Sequence, residues 1–126
     1  MPGVYEITVT DHFSAAHSLK GYDGSCSKIH GHNWEVTVFL QCTRLNKLGF
    51  GIDFIDVKKV IADILGRLDH TNLNDVAEFG HINPTTENIA KFLYTELGRR
   101  LNSDAVKISK VKVVESPGCG VTYREI

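Results

Sequence analysis

Two stretches of alternating hydrophobicity, residues 4–17 and 31–43, restrict this chain more than any other feature it has. In the first, Tyr5, Ile7, Val9, Phe13, Ala15 and His17 share one parity. In the second, Trp34, Val36, Val38 and Leu40 do so, while Glu35, Thr37 and Gln41 take the other. A period of two belongs to a strand with one buried face. The polar, glycine-bearing stretch Lys20-Gly21-Tyr22-Asp23-Gly24-Ser25 lies between them, so the pair is predicted to form one long hairpin.

Histidines fall on the apolar parity of both strands: His17 on the first, His30 and His32 on the second. Buried imidazoles need partners. One divalent cation would satisfy all three, and three neutral imidazoles leave coordination positions open, as catalytic rather than structural zinc sites do. Sites of this composition also take other transition ions. His12 has the opposite parity and His81 lies in a polar loop, so both read as solvated.

Downstream the period lengthens. Asp56 is predicted to cap a helix whose stripe is Val57, Val60, Ile61, Ile64, Leu65 and Leu68. Pro84-Thr85-Thr86 opens a second, with Glu87 suiting its first turn and Ile89, Phe92, Leu93, Leu97 and Leu101 on one face. The polar segment from Asp69 to Asn83 is long enough to be functional. Two strands close the chain, Val106 to Glu115 and Gly120 to Glu125, around the turn Ser116-Pro117-Gly118. The order ββααββ predicts an α+β fold, an antiparallel sheet with two helices on one face, in a single domain over residues 1–126. Free sheet edges invite pairing between subunits.

Fourteen basic against fifteen acidic residues leave a formal charge of −1, which excludes the basic footprint of a nucleic-acid binder. No apolar run approaches the ~18 residues that span a bilayer, and Met1 to Glu6 lack leader character, so a cytoplasmic protein is expected. Three cysteines without framework spacing argue against a disulfide scaffold. Cys42 and Cys119 read as small fillers.

Three further elements carry chemistry. Cys26 precedes His30 by four positions, and a cation nearby would lower its thiol pKa into the range of a usable base or nucleophile. Asp69-His70 ends the first helix, where a carboxylate can orient an imidazole for proton transfer; a solvated acid beside a helix-end histidine reads equally well. Glu115 shares the parity of Val111 and Val113, a costly place for a carboxylate unless it meets a cationic or multi-donor partner. Two parallel N–H donors of a ligand would match it, and the strand could equally end at Val114.

Together, Cys26-Ser27-Lys28-Ile29-His30-Gly31-His32, Leu68-Asp69-His70, Asn83-Pro84-Thr85-Thr86-Glu87 and Val113-Val114-Glu115 resemble the signatures of the 6-pyruvoyl-tetrahydropterin synthase family. The chain looks most like its bacterial 6-carboxytetrahydropterin synthase members, from queuosine biosynthesis. They carry three residues between the cysteine and His-Gly-His, as this chain does. The resemblance implies a tunnelling fold closing into an intersubunit barrel, a trimer or dimer of trimers with active sites between subunits, Zn2+ and a pterin triphosphate substrate. It places the metal ligands on His17, His30 and His32, the catalytic cysteine on Cys26 and the aspartate–histidine pair on Asp69 and His70. The pterin anchor falls on Glu115, and Thr85, Thr86 and Glu87 line the pocket. It implies conversion of 7,8-dihydroneopterin triphosphate to 6-carboxy-5,6,7,8-tetrahydropterin, acetaldehyde and triphosphate. The basic residues that meet the triphosphate are open among Lys20, Lys28 and Arg124.

Competing readings are a 6-pyruvoyl-tetrahydropterin synthase, which leaves the side chain intact, a cupin-like metal enzyme and a non-catalytic metal binder. A cupin needs a carboxylate on the histidines' face, and Glu35 has the wrong parity. A binder explains the histidines and leaves Cys26, Asp69-His70 and Glu115 without purpose.

Overall fold

The structure is a computed structural model, and residues 3–24 and 27–126 are described. Strands β1 (Tyr5–His17) and β2 (His30–Cys42) pair antiparallel over their whole length, with Tyr5 opposite Cys42 and His17 opposite His30. Val9, Phe13, Ala15 and His17 are buried on the inward face, as are Trp34, Val36, Val38, Leu40 and Cys42. Phe13 and Trp34, direct partners in the ladder, stack with ring centroids 5.8 Å apart.

A two-residue strand, β3 (Thr71–Asn72), runs parallel to β1 beside Ala15 and Ala16. It adds a fifth strand to the four read from the sequence. With β4 (Val106–Ser116) and β5 (Cys119–Tyr123) the sheet order is β3-β1-β2-β4-β5. Cys42 is buried as expected, whereas Cys119 is exposed at the β4–β5 turn and fills no core space.

The register of β4 decides which way Glu115 points. Phe39 lies opposite Lys110 but Leu40 opposite Ile108, so Ser109 is an extra residue, its hydroxyl donating to the Phe39 carbonyl at 3.2 Å. Such a bulge switches parity. Val106 and Ile108 before it, and Val111 and Val113 after it, are therefore all buried. A second register shift against β5, between Val114 and Ser116, leaves Glu115 without a partner there. Gly118, at φ 82°, makes the turn after Pro117.

Helix α1 (Phe54–Leu65) and helix α2 (Thr86–Leu101) cover the inward face, α1 against β1 and α2 against β4 and β5. Ile61, Ile89, Leu93 and Leu97 are essentially fully buried between layers, each contributing about 1.5–3 kcal/mol through apolar area removed from water. The start of α1 corrects the sequence reading. Asp53, not Asp56, is the cap: its carboxylate accepts from the Ile55 N–H at 2.8 Å, and Asp56 sits in the first turn. Phe54 and Ile55 are exposed, so the apolar stripe begins a turn later than the helix. Asp53→Ala is expected to cost about 1 kcal/mol, a drop in Tm of roughly 4 °C in thermal unfolding. No helix among the described residues is long and apolar enough to cross a membrane.

Candidate metal centre and active site

The far end of the hairpin assembles the cluster that strand parity predicts. His17 and His30 are opposed in the ladder, with His32 opposite Ala15, and the three imidazoles pack edge to face with centroids 4.6–5.3 Å apart. Trp34, next on the same parity, forms the floor: its ring meets His17 at 5.0 Å and His32 at 5.2 Å, both near perpendicular. Its indole N–H is satisfied by the Ala15 carbonyl at 3.2 Å, so the floor is rigid and offers no competing donor.

Glu115 closes the group. Its Oε1 lies 3.3 Å from His17 Nε2 and 3.0 Å from His32 Nε2. Potential ligand atoms of His17, His30, His32 and Glu115 all lie within 4.8 Å of one another. The sequence offered Glu115 a donor-bearing ligand as partner; the side chains it faces in the structure are two imidazoles.

The protonation pattern tests whether a cation fits. His17 Nδ1 is 2.8 Å from the Pro84 carbonyl, and His30 Nδ1 is 2.8 Å from the Lys28 carbonyl. A carbonyl only accepts, so Nδ1 carries the proton in both rings and a neutral ring presents a lone pair at Nε2. Nε2 of His17 and of His32 are buried and, despite the nearby carboxylate, make no hydrogen bond of acceptable angle. A lone pair facing a carboxylate at 3.3 Å is repulsive unless a proton or a metal cation lies between them. His17 is only 2 % exposed, too buried for water to relieve this. Burial also pulls the His32 pKa below its ordinary value, with Glu115 opposing and the other two rings adding to the effect. Lowering favours the neutral, ligating form. Three imidazoles and a carboxylate thus form a donor set that fits a transition-metal ion.

Asp69 and His70 form a second constellation at the β1–β3 edge. Asp69 Oδ2 lies 2.9 Å from His70 Nδ1, and its other oxygen accepts the Ser14 N–H at 2.8 Å. That backbone bond first, and His70 second, hold the Asp69 carboxyl below the usual carboxylate range. The His70 N–H donates to the Ser14 carbonyl at 2.6 Å, and His70 has φ 58°, an unusual conformation for a side-chain-bearing residue that functional sites often retain. The ring is 82 % exposed and does not belong to the four-residue cluster.

At the entry to α2, Thr85 caps the helix by accepting from the Asn88 N–H at 3.1 Å, Thr86 is buried and Glu87 is exposed. Pro84 ties this motif to His17. Lys20, Lys28 and Arg124 are all exposed. His12 pairs with Glu35 at 3.4 Å on the opposite, solvated face, and His81 is exposed, as parity and loop position suggest. Cys26 lies outside the described residues. The sequence reading placed Pro84 only in the motif that opens the second helix and gave Trp34 no part in the site, although Trp34 shares the parity of the histidines.

A model of the family described as 6-pyruvoyl tetrahydropterin synthase matches residues 6–126. The chain is 33% identical over 130 residues to 6-carboxy-5,6,7,8-tetrahydropterin synthase of Bacillus subtilis, covering 98% of this chain and 87% of that one. It is 34% identical over 109 residues to dihydroneopterin monophosphate aldolase of Pyrococcus furiosus, covering 86% and 88%. Among solved structures, 6-pyruvoyl tetrahydropterin synthase of Caenorhabditis elegans superposes with a TM-score of 0.88 at 27% identity, over 98% of this chain and 97% of that one. The chain belongs to the 6-pyruvoyl tetrahydropterin synthase family and is an enzyme, a lyase of the pterin synthase type.

Proposed function

We propose that this lyase converts 7,8-dihydroneopterin triphosphate and one water to 6-carboxy-5,6,7,8-tetrahydropterin, acetaldehyde and triphosphate, the carboxy-forming step of queuosine biosynthesis, with zinc as its metal. The observation that carries the reading is the buried, unpartnered Nε2 pair of His17 and His32 facing Glu115, in a chain that also holds the Cys26, Asp69-His70 and Asn83–Glu87 motifs. The Bacillus subtilis relative bears the name of this activity.

His17, His30 and His32 hold the metal, with Glu115 able to complete the set. When bound, zinc supplies a Lewis acid that favours loss of protons from the substrate's side-chain hydroxyls. Glu115 accepts hydrogen bonds from the pterin amino and ring N–H groups through the edge not turned to the imidazoles, and Thr85, Thr86 and Glu87 line the ring's pocket. Cys26, as thiolate, removes a carbon-bound proton of the side chain. His70 relays a proton on the other side, held by Asp69, which the Ser14 N–H keeps ionised. Oxidation and reduction balance within the substrate, so no nicotinamide or flavin is consumed.

The active assembly is a homo-oligomer, a trimer or dimer of trimers, with sites between subunits. Two observations support it. β3 covers only Ala15 and Ala16, and Asp69 and His70 engage Ser14, so among the described residues β1 from Tyr5 to Phe13 has no strand on that side and is an open sheet edge. The exposed His70 ring stands apart from the histidine cluster, as a group serving a neighbouring copy would.

The Pyrococcus furiosus relative supports a second reading, aldol cleavage of a pterin monophosphate. Weighing every product decides among them. Dihydroneopterin triphosphate incubated with the zinc-loaded protein is expected to give equimolar acetaldehyde and the 6-carboxy product. A pyruvoyl product without acetaldehyde, or an aldol fragment that keeps its phosphate, overturns the carboxy-forming assignment.

A further inference from the structure

Immediately after His17 the ladder runs out: β3 pairs with Ala15 and Ala16, and no strand among the described residues accompanies the chain beyond. Two side-chain carboxamides take over. Asn74 Oδ1 accepts from the Ser18 N–H at 2.8 Å while its Nδ2 donates to the Ser18 carbonyl at 2.9 Å. Asn83 does the same to Lys20, at 2.8 and 2.9 Å. Each carboxamide thus satisfies both backbone groups of one residue, as a neighbouring strand would. The gripped residues alternate, which continues the extended line of β1.

Both clamps are themselves anchored. The Asn74 N–H is held by the Asn72 side chain at 3.1 Å, next to β3. The Asn83 carbonyl accepts from the Thr85 N–H and from Asn88 Nδ2, each at 2.8 Å, which locks it to the first turn of α2. Between the Asn83 clamp and the Thr85 cap lies Pro84, whose carbonyl meets His17 Nδ1. Asn83 therefore fixes two things relative to each other: the chain leaving His17, and the carbonyl that sets the tautomer of its ring.

We infer that Asn83, with Asn74, is a positioning residue for His17: the two carboxamide clamps hold its backbone and the Pro84 carbonyl in the one register that aims Nε2 at the metal. This rests on the reading of His17 as a metal ligand. Groups that orient a ligating imidazole typically alter metal affinity 10–100-fold when lost.

Titration of the metal-free full-length protein with Co2+, read by its visible absorption, tests this without any turnover. Asn83→Ala is expected to weaken Co2+ binding at least about tenfold, and Asn74→Ala in the same direction. Asp53→Ala, which lowers stability far from the site, leaves affinity unchanged. Thermal unfolding supplies the discriminating readout: the rise in Tm on adding Co2+ shrinks in the clamp variants and stays at the wild-type value in Asp53→Ala. If Asn83→Ala fails to fold, Asn83→Asp carries the test, since it keeps the acceptor for the Lys20 N–H and loses the donor to the Lys20 carbonyl. Folded clamp variants that bind Co2+ as wild type does overturn the inference. A wild-type protein that binds no Co2+ defeats the metal reading itself, a distinguishable result.

Discussion

Replacing Cys26 by alanine is expected to leave the metal in place and lower turnover by about 10³-fold, the loss typical of a positioned proton-transfer group. The two halves of this expectation have separate grounds. Metal retention is expected because His17, His30, His32 and Glu115 bring four donor atoms within 4.8 Å of one another, a complete set before any thiol is added. Loss of turnover follows because a thiol beside a divalent cation ionises near neutral pH, and the other side chains of the Cys26–His32 motif that titrate there, His30 and His32, are assigned to the metal, which leaves serine, lysine and isoleucine unable to replace it as base. Metal content by mass spectrometry and acetaldehyde release by a coupled assay check the two halves. Turnover within tenfold of wild type would remove Cys26 from the chemistry. Loss of metal alongside turnover would instead make the thiol a ligand.

How far the sequence exposes this site depends on the kind of interaction involved. His17, His30 and His32 were legible because strand parity is local and each histidine shares it with several apolar neighbours. Glu115 was legible in direction, since Val111 and Val113 set its face after the bulge at Ser109. Its neighbours were not, because they depend on how β4 registers against β2. Asp53 was passed over because Phe54 and Ile55, the first helical residues, face solvent and carry no stripe. β3 has two residues, too few to alternate. The positive φ of His70 has no signature in a histidine codon position that glycine would have marked. Least visible of all were the carboxamide clamps and the Pro84 carbonyl. Side chain to backbone bonds over 56 to 67 positions have no period and need no particular neighbour in sequence.

The same reasoning makes His17 the most consequential single position in the cluster. It is the deepest of the three histidines, touching His30, His32 and Trp34 with its faces and Pro84 and Glu115 with its two nitrogens. His17→Ala removes a proposed metal ligand, opens a cavity above Trp34 and leaves the Pro84 carbonyl without its donor. The first effect is expected to weaken metal binding on the order of 10²–10³-fold, taking roughly a quarter of the binding energy of a four-ligand zinc site. The second and third together are expected to cost about 2–4 kcal/mol in the metal-free protein, lowering its Tm by roughly 10 °C. His30→Ala separates the contributions. His30 is less buried and its Nδ1 partner, the Lys28 carbonyl, is exposed enough to be rehydrated, so affinity falls similarly while the metal-free Tm moves little. Metal titration and thermal unfolding of both variants, each with and without chelator, read these quantities independently. Wild-type metal content in His17→Ala would show that the orphaned Nε2 atoms answer to something other than a metal, and the proposed chemistry would lose its centre.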